Sequence, residues 1–229
     1  MLGGETMRRF DVHKLIGVLP PILFIMGCRE SIIDIPAEYT VKNYYPLAVG
    51  NEWTYQYTVR DHREWRDTFT LIIKESYKWN GKEVFVLGTK QSSGSREGGG
   101  SYLMYWNDKV IVKYYEPPET SEDTVALEED TASTGVGIGK KYTIPLWEPL
   151  VKGRTWRGHR IERIDTTVRV AGKKFCHCIK VICIPVEDCG ATLPPYPIFF
   201  APKIGIVKWT SKERNPSVMW ELIDYKVKV

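Results

Sequence analysis

Cysteine and histidine are scarce in this chain, with 5 and 4 copies among 229 residues, too few for a disulfide-dense scaffold. Charge of one sign is also in short supply. The formal net charge is +4, from 32 Lys and Arg against 28 Asp and Glu, which gives no reason to read a nucleic-acid binder. Long apolar runs are missing: the stretch from Leu15 to Gly27 is about half the length of a membrane-spanning helix and is interrupted by Pro20 and Pro21. No segment places apolar residues at spacings of three and four with caps at both ends, so a helical bundle and a coiled coil are excluded. Neither a G-x-S-x-G elbow nor an H-E-x-x-H pair occurs, so no hydrolase signature is present. What the chain has in excess is aromatic side chains, 8 Trp, 13 Tyr and 7 Phe, in an otherwise ordinary globular mixture of 43% hydrophobic and 26% charged residues. Aromatic residues suit half-buried pleated surfaces, so the excess points to β structure.

The N-terminal stretch reads as an export address. Arg8, Arg9 and Lys14 precede the apolar run, which ends Ile25-Met26-Gly27-Cys28. That ending resembles the lipobox of bacterial lipoproteins, in which a diacylglycerol is attached to the cysteine and cleavage makes it the new N-terminus. The small Gly27 before the cut fits. The resemblance implies a signal peptide over 1–27, lipidation of Cys28, and the membrane as a partner through an N-terminal lipid anchor. A cleaved secretory signal and an uncleaved anchor are the alternatives. Arg29, not Asp, follows Cys28, which implies a cell-envelope location and, in a Gram-negative cell, the periplasmic face of the outer membrane. Residues 28–43 read as a tether.

From there to the end, 44–229, the chain reads as one all-β domain. Trp53, Tyr55, Tyr57 and Val59 alternate with polar neighbours, and Phe69, Leu71 and Ile73 follow in the same period. Asn80-Gly81 suits a type I′ hairpin turn, and Ala171-Gly172 marks another turn. Further strands are expected over 84–89, 102–106, 110–115, 155–164, 166–170, 175–185, 204–211 and 219–229. The fold expected is an antiparallel meander forming a curved sheet, open barrel or sandwich.

Pro46-Leu47-Ala48-Val49-Gly50-Asn51-Glu52-Trp53 is echoed by Pro149-Leu150-Val151-Lys152-Gly153-Arg154-Thr155-Trp156. The shared P-L-x-x-G-x-x-W frame describes a bend that delivers a Trp into the core at the start of a strand. It suggests two similar halves, 44–140 and 141–229. The stretch Tyr44 to Tyr55, with the landmarks Ala171-Gly172-Lys173-Lys174-Phe175 and Ala201-Pro202-Lys203-Ile204-Gly205-Ile206-Val207-Lys208, resembles a group of uncharacterised bacterial lipoproteins. Those carry YYPL-x-VGN-x-WTY, AG-x-F and AP-x-x-G-x-V-K. The resemblance implies a curved antiparallel sheet related to the half-barrels of lipoprotein carriers, and no reaction.

Chemistry-bearing residues are few. Cys176, His177, Cys178, Cys183 and Cys189 form the one cluster. Strand alternation would place Cys176 and Cys178 on one face and His177 and Cys183 on the other. Zinc ligation, disulfides (a Cys183–Cys189 bond being the easiest) and plain buried thiols are the three readings. The acid-rich run Glu116 to Asp130 lacks an EF-hand frame and reads as a solvated loop. Gly135 to Lys140 lacks the spacing of a phosphate loop. The basic residues around Trp156 read as an exposed strand face.

The expectation is a lipid-anchored, non-enzymatic binding or structural module without a cofactor, acting on an envelope protein or an amphiphilic ligand and not on nucleic acid. A metal-assisted hydrolase using the Cys/His cluster around 176–189 is the competing reading. Trp53, Tyr55, Tyr57, Trp156, Trp209 and Trp220 are the aromatics expected either to fill a core or to line a pocket.

Overall fold

The computed structural model describes residues 31–33, 38–60, 64–91, 97–106, 108–114, 142–156, 158–183, 196–211 and 217–228. Its elements are β1 (Ser31–Ile33), α1 (Val41–Tyr44), β2 (Glu52–Arg60), β3 (Glu64–Trp79), β4 (Lys82–Gln91), β5 (Glu97–Trp106), β6 (Val110–Tyr114), β7 (Tyr142–Trp147), β8 (Thr155–Trp156), β9 (His159–Val170), β10 (Lys173–Cys183), β11 (Tyr196–Ala201), β12 (Gly205–Ser211) and β13 (Ser217–Lys226). All thirteen strands belong to one sheet, ordered β7-β6-β5-β4-β3-β2-β13-β12-β11-β10-β9-β8, with β1 set parallel against β10. Every other pairing is antiparallel, so the all-β meander read from the sequence is the fold. Among the described residues nothing pairs β7 with β8, and the sheet stays open there.

The turns form where the chain can adopt them. Asn80 and Gly81 have φ of 47° and 75°, and Ala171 and Gly172 repeat these values at 47° and 75°. Positive φ at both central residues is the type I′ geometry whose twist matches the flanking strands.

The sheet is strongly curved, because side chains bridge strands that are not neighbours. Trp53 Nε1 donates to Ile204 O at 2.5 Å, and Tyr55 Oη donates to Ile206 O at 2.8 Å; both bonds pass over β13. Lys173 Nζ on β10 reaches Ile223 O on β13 at 2.7 Å. The concave face therefore encloses a common core that draws on both arms of the meander, including Ile73, Leu103, Ile111 and Leu146 from one and Ile161, Phe175, Ile179 and Phe200 from the other.

The two P-L-x-x-G-x-x-W frames fold alike. Gly50 N donates to Ile73 O at 2.8 Å, Ile73 N to Asn51 O at 2.9 Å and Asn51 N to Ala48 O at 3.0 Å. In the second frame Gly153 N donates to Ile161 O at 2.8 Å, Ile161 N to Arg154 O at 2.9 Å and Arg154 N to Val151 O at 3.2 Å. The two glycines have φ of 87° and 89°, and the frames end in buried Trp53 and Trp156. Each frame opens a run of successive strands, β2 to β7 and β8 to β13. The first run thus extends through Trp147, since β7 pairs with β6.

The segment read as a tether over 28–43 is partly built into the fold. Ile33 packs against the core from β1, and Val41 and Tyr44 of α1 are fully buried. Thr40 caps the helix by accepting from Asn43 N at 3.3 Å. Tyr44 Oη donates to His177 O at 2.6 Å, Val41 N donates to Glu148 Oε1 at 2.7 Å, and Lys203 N donates to Asn43 O at 2.5 Å. The single turn of helix is thereby tied to β10, to the segment that follows β7 and to the turn between β11 and β12. Its apolar residues are too few to show a helical period, which is why the sequence pattern did not reveal it.

Replacing Gly50 or Gly153 by Ala is expected to destabilise the protein by about 1–2 kcal/mol each, because an L side chain is disfavoured at these φ values. A Cβ on Gly153 meets nothing within 4 Å, whereas one on Gly50 comes to 3.0 Å from Lys228 Nζ, so Gly50→Ala should cost at least as much. Urea unfolding of the two variants measures both values; a neutral Gly153→Ala would contradict the backbone argument.

Candidate functional site

The concave face is filled around Trp53 and Tyr55, where a void of about 20 Å³ remains, lined by Tyr45, Trp53, Tyr55, Leu71, Leu87, Gly205 and Ile206. A wider and more polar cleft of about 800 Å³ borders the first frame, lined by residues that include Lys42, Pro46, Leu47, Glu83, Tyr105 and Lys228. Further along the strands around Trp53 and Tyr55 the filling stops, and a cavity of about 450 Å³ opens between β2, β3, β4, β5, β6 and β13. Tyr57, Phe69, Leu71, Leu87 and Trp220 form its apolar wall, and Asp67, Thr68, Thr89, Gln91, Ser101 and Lys113 supply polar groups. An apolar cleft of this size with a few polar groups is the usual form of a small-molecule site. Burial lowers the pKa of Lys113, since desolvation penalises the ammonium form.

Strand register assembles the aromatic wall. Tyr57 stands opposite Trp220, and Trp220 opposite Trp209, so three adjacent strands place aromatic rings in one row. Trp209 and Trp220 have ring centroids 4.6 Å apart, and Phe69 meets the edge of Trp220 at 4.8 Å. Tyr196 extends the row from β11, 5.8 Å from Trp209, and Tyr55 joins it from the filled end, 5.4 Å from Phe69. Such pairs contribute about 0.5–1.5 kcal/mol each beyond their buried area, which holds the wall in a fixed shape. The Trp220 indole nitrogen is buried and has no acceptor among the described residues.

Of the aromatics singled out in the sequence, Tyr55, Tyr57, Trp209 and Trp220 come together here. Trp53 is buried in the filled end, and Trp156 stacks on His159 at 5.6 Å, apart from this row. Leu87, Thr89 and Lys113 fall in expected strands, but which strands they would face was not legible. Gln91 and Ser101 fall outside the expected strands, because β4 runs on to Gln91 and β5 begins at Glu97, inside a Gly- and Ser-rich stretch that reads as a loop.

The cysteine and histidine cluster does not converge. Phe175 and Cys178 are buried while Cys176 and His177 are half-buried, so Cys176 and Cys178 do not share a face as plain alternation requires. The cause is irregular pairing between β9 and β10, whose register shifts three times between Phe175 and Val181, with His177 at φ 55° and Asp165 at φ 53°. An extra residue on a strand reverses its phase. His177 Nδ1 lies 2.5 Å from Asp165 Oδ1 and joins the two irregular positions. Cys183 lies at the far end of β10, opposite His159 and Tyr196. Among the described residues, no three His, Cys, Asp or Glu side chains are placed to hold a metal ion. Cys28, Cys189 and the acidic run Glu116 to Asp130 lie outside the described residues.

Cys178 instead behaves as a small core residue. Its thiol donates to Phe175 O at 3.5 Å, and burial, followed by the neighbouring Cys176, pushes its pKa up to about 12.

No protein-family model and no curated protein matches the chain. Among solved structures it is similar to a protein from Parabacteroides distasonis assigned as a lipoprotein, at 12% identity over 83% of this chain and 100% of that one, with a TM-score of 0.49. It is also similar to a protein from Bacteroides fragilis assigned as exported, with a YmcC-like fold, at 12% identity over 80% and 99% of the two chains and a TM-score of 0.38. LprF from Mycobacterium bovis follows at 11% identity over 79% and 87%, with a TM-score of 0.25. These likenesses are too distant to carry an argument about function.

The buried thiol leads to a pH-dependent expectation. Alkylation of Cys178 in the folded protein should rise about tenfold per pH unit from pH 8 to pH 11, since only the thiolate reacts. Mass spectrometry of peptides after timed labelling measures the rate. A rate that levels off near pH 9 would show an ordinary, accessible thiol.

Proposed function

We propose that this protein is a lipid-anchored envelope protein that binds an amphiphile without transforming it. The cavity carries this reading: its apolar wall receives the hydrocarbon part, and the polar groups on its other side receive the head. The wall is prebuilt by the ring contacts around Trp220, so little ordering is needed when a ligand enters. The lipobox-like ending at Cys28 supports an envelope location and a membrane anchor. Binding is favoured over the metal-assisted hydrolase because, among the described residues, Cys176, His177, Cys178 and Cys183 do not bring three ligands together.

A brominated stearate should quench the emission of Trp209 and Trp220 saturably. Thr89→Phe, which fills the cavity from β4, should weaken that binding about tenfold, a change of about 1.4 kcal/mol. Far-UV circular dichroism establishes whether the variant keeps the fold. Unaltered quenching in a folded Thr89→Phe protein would remove the cavity from the argument.

The anchor has its own test. Cells supplied with a clickable fatty acid should label the wild-type chain and not Cys28→Ala. Equal labelling of the two would defeat the lipoprotein reading.

A further inference from the structure

We infer that the cavity selects amphiphiles with an acidic head, and that Lys113 is the residue that binds the acid. The inference rests on the reading of the cavity as an amphiphile site. It adds the charge of the head and the direction in which the ligand lies.

Strand register orders the lining. Lys113 on β6 stands opposite Leu103, and Ser101, two residues before Leu103 on β5, stands opposite Leu87. Leu71 stands opposite Thr89, Phe69 opposite Gln91 and Asp67 opposite Tyr57. Side chains two residues apart share a face, so these pairs are successive rows on one face of the sheet. Among the described lining residues, Lys113 is the one base and Asp67 the one acid. They belong to the first and the last row, with Leu87, Leu71 and Phe69 between them. Thr89 also faces Gly98, which brings no side chain into the space.

The two charged ends differ in their surroundings. Leu103, across from Lys113, and Ile111, two residues before it on the same face, are fully buried. The lysine stem therefore rises out of packed hydrocarbon, and desolvation there penalises its ammonium form. An anion placed beside that ammonium favours the protonated state, so ligand and proton are held together. Ser101, one row on, offers a hydroxyl donor to the same head. Asp67 is already served from its own strand, since its Oδ1 accepts from Thr68 N at 2.7 Å.

Burial, and not the number of lysines, singles out Lys113. Lys42, in the wider cleft beside the first frame, is exposed and pairs with Asp108 at 2.9 Å. Charges in such a place are solvated by water and gain little from a partner. In the cavity an acid that meets Lys113 replaces water that the ammonium has lost. The hydrocarbon of the ligand then lies along Leu87, Leu71 and Phe69 towards Trp220.

The test titrates the full chain at neutral pH with three brominated ligands of equal chain length, stearate, stearyl alcohol and stearylamine, and follows tryptophan quenching. Stearate should bind about tenfold more tightly than the alcohol, as expected for a hydrogen bond between charged groups, and the amine more weakly than the alcohol. In Lys113→Met the acid and the alcohol should bind alike, with the alcohol at its wild-type affinity. Lys113→Arg, which keeps the charge, should retain the preference for the acid. Circular dichroism checks the fold of both variants. Equal affinity of the wild type for acid and alcohol would overturn the inference and leave the cavity as a general amphiphile site. A preference for the acid that survives in folded Lys113→Met would overturn it too. Tightest binding of the amine would make Asp67 the selecting charge and also overturn it. If none of the three ligands quenches saturably, the cavity reading itself fails and the inference falls with it.

Discussion

The pairing of β2 with β13 is the contact on which the rest of the structure depends. It runs from Arg60 opposite Ser217 to Glu52 opposite Lys226, with one register shift between Leu222 and Asp224, and so joins the first long strand of the domain to the last. Each arm of the meander can form from local hairpins, but only this pairing brings the arms into one sheet. It is reinforced at the frame by Asn51, fully buried, whose Oδ1 accepts from Lys228 N at 2.9 Å and whose Nδ2 donates to Pro46 O at 3.1 Å. A contact between residues so far apart in sequence closes a long loop and is gained late against chain entropy.

The aromatic wall exists because of that closure. Tyr57 belongs to one arm and Trp209 to the other, and Trp220 on β13 meets both. The same seam carries the bonds from Trp53 and Tyr55 to carbonyls beyond β13, which pull the sheet into a curve and fill its frame end. Curvature at one end and open strand ends at the other divide the concave face into a packed core and a cavity. A single row of rings serves both, since Tyr55 lies on the boundary between them.

Much of the fold could be read in advance from local chemistry. Asn80-Gly81 and Ala171-Gly172 take the turn geometry that their residue types favour, and the Gly of each frame adopts the positive φ that makes its bend. The cysteine segment was less legible. Alternation assumes one residue per step, and the irregularity at His177 breaks it through a partner, Asp165, on another strand. Tyr44 was hidden for a similar reason: its burial comes from a hydrogen bond to His177 O, across a large sequence separation.

The sequence by itself determined an all-β chain, the phase of its regular strands, the sites of its tight turns and the recurrence of one backbone frame. Those are properties of neighbouring residues, set by side-chain period and by allowed φ and ψ. The tertiary structure alone decided which aromatics fill the core and which line the cavity, and that Lys113 and Thr89 face the same space as Trp220. Strand order and curvature fix these matters through contacts between distant residues, which a local pattern does not encode.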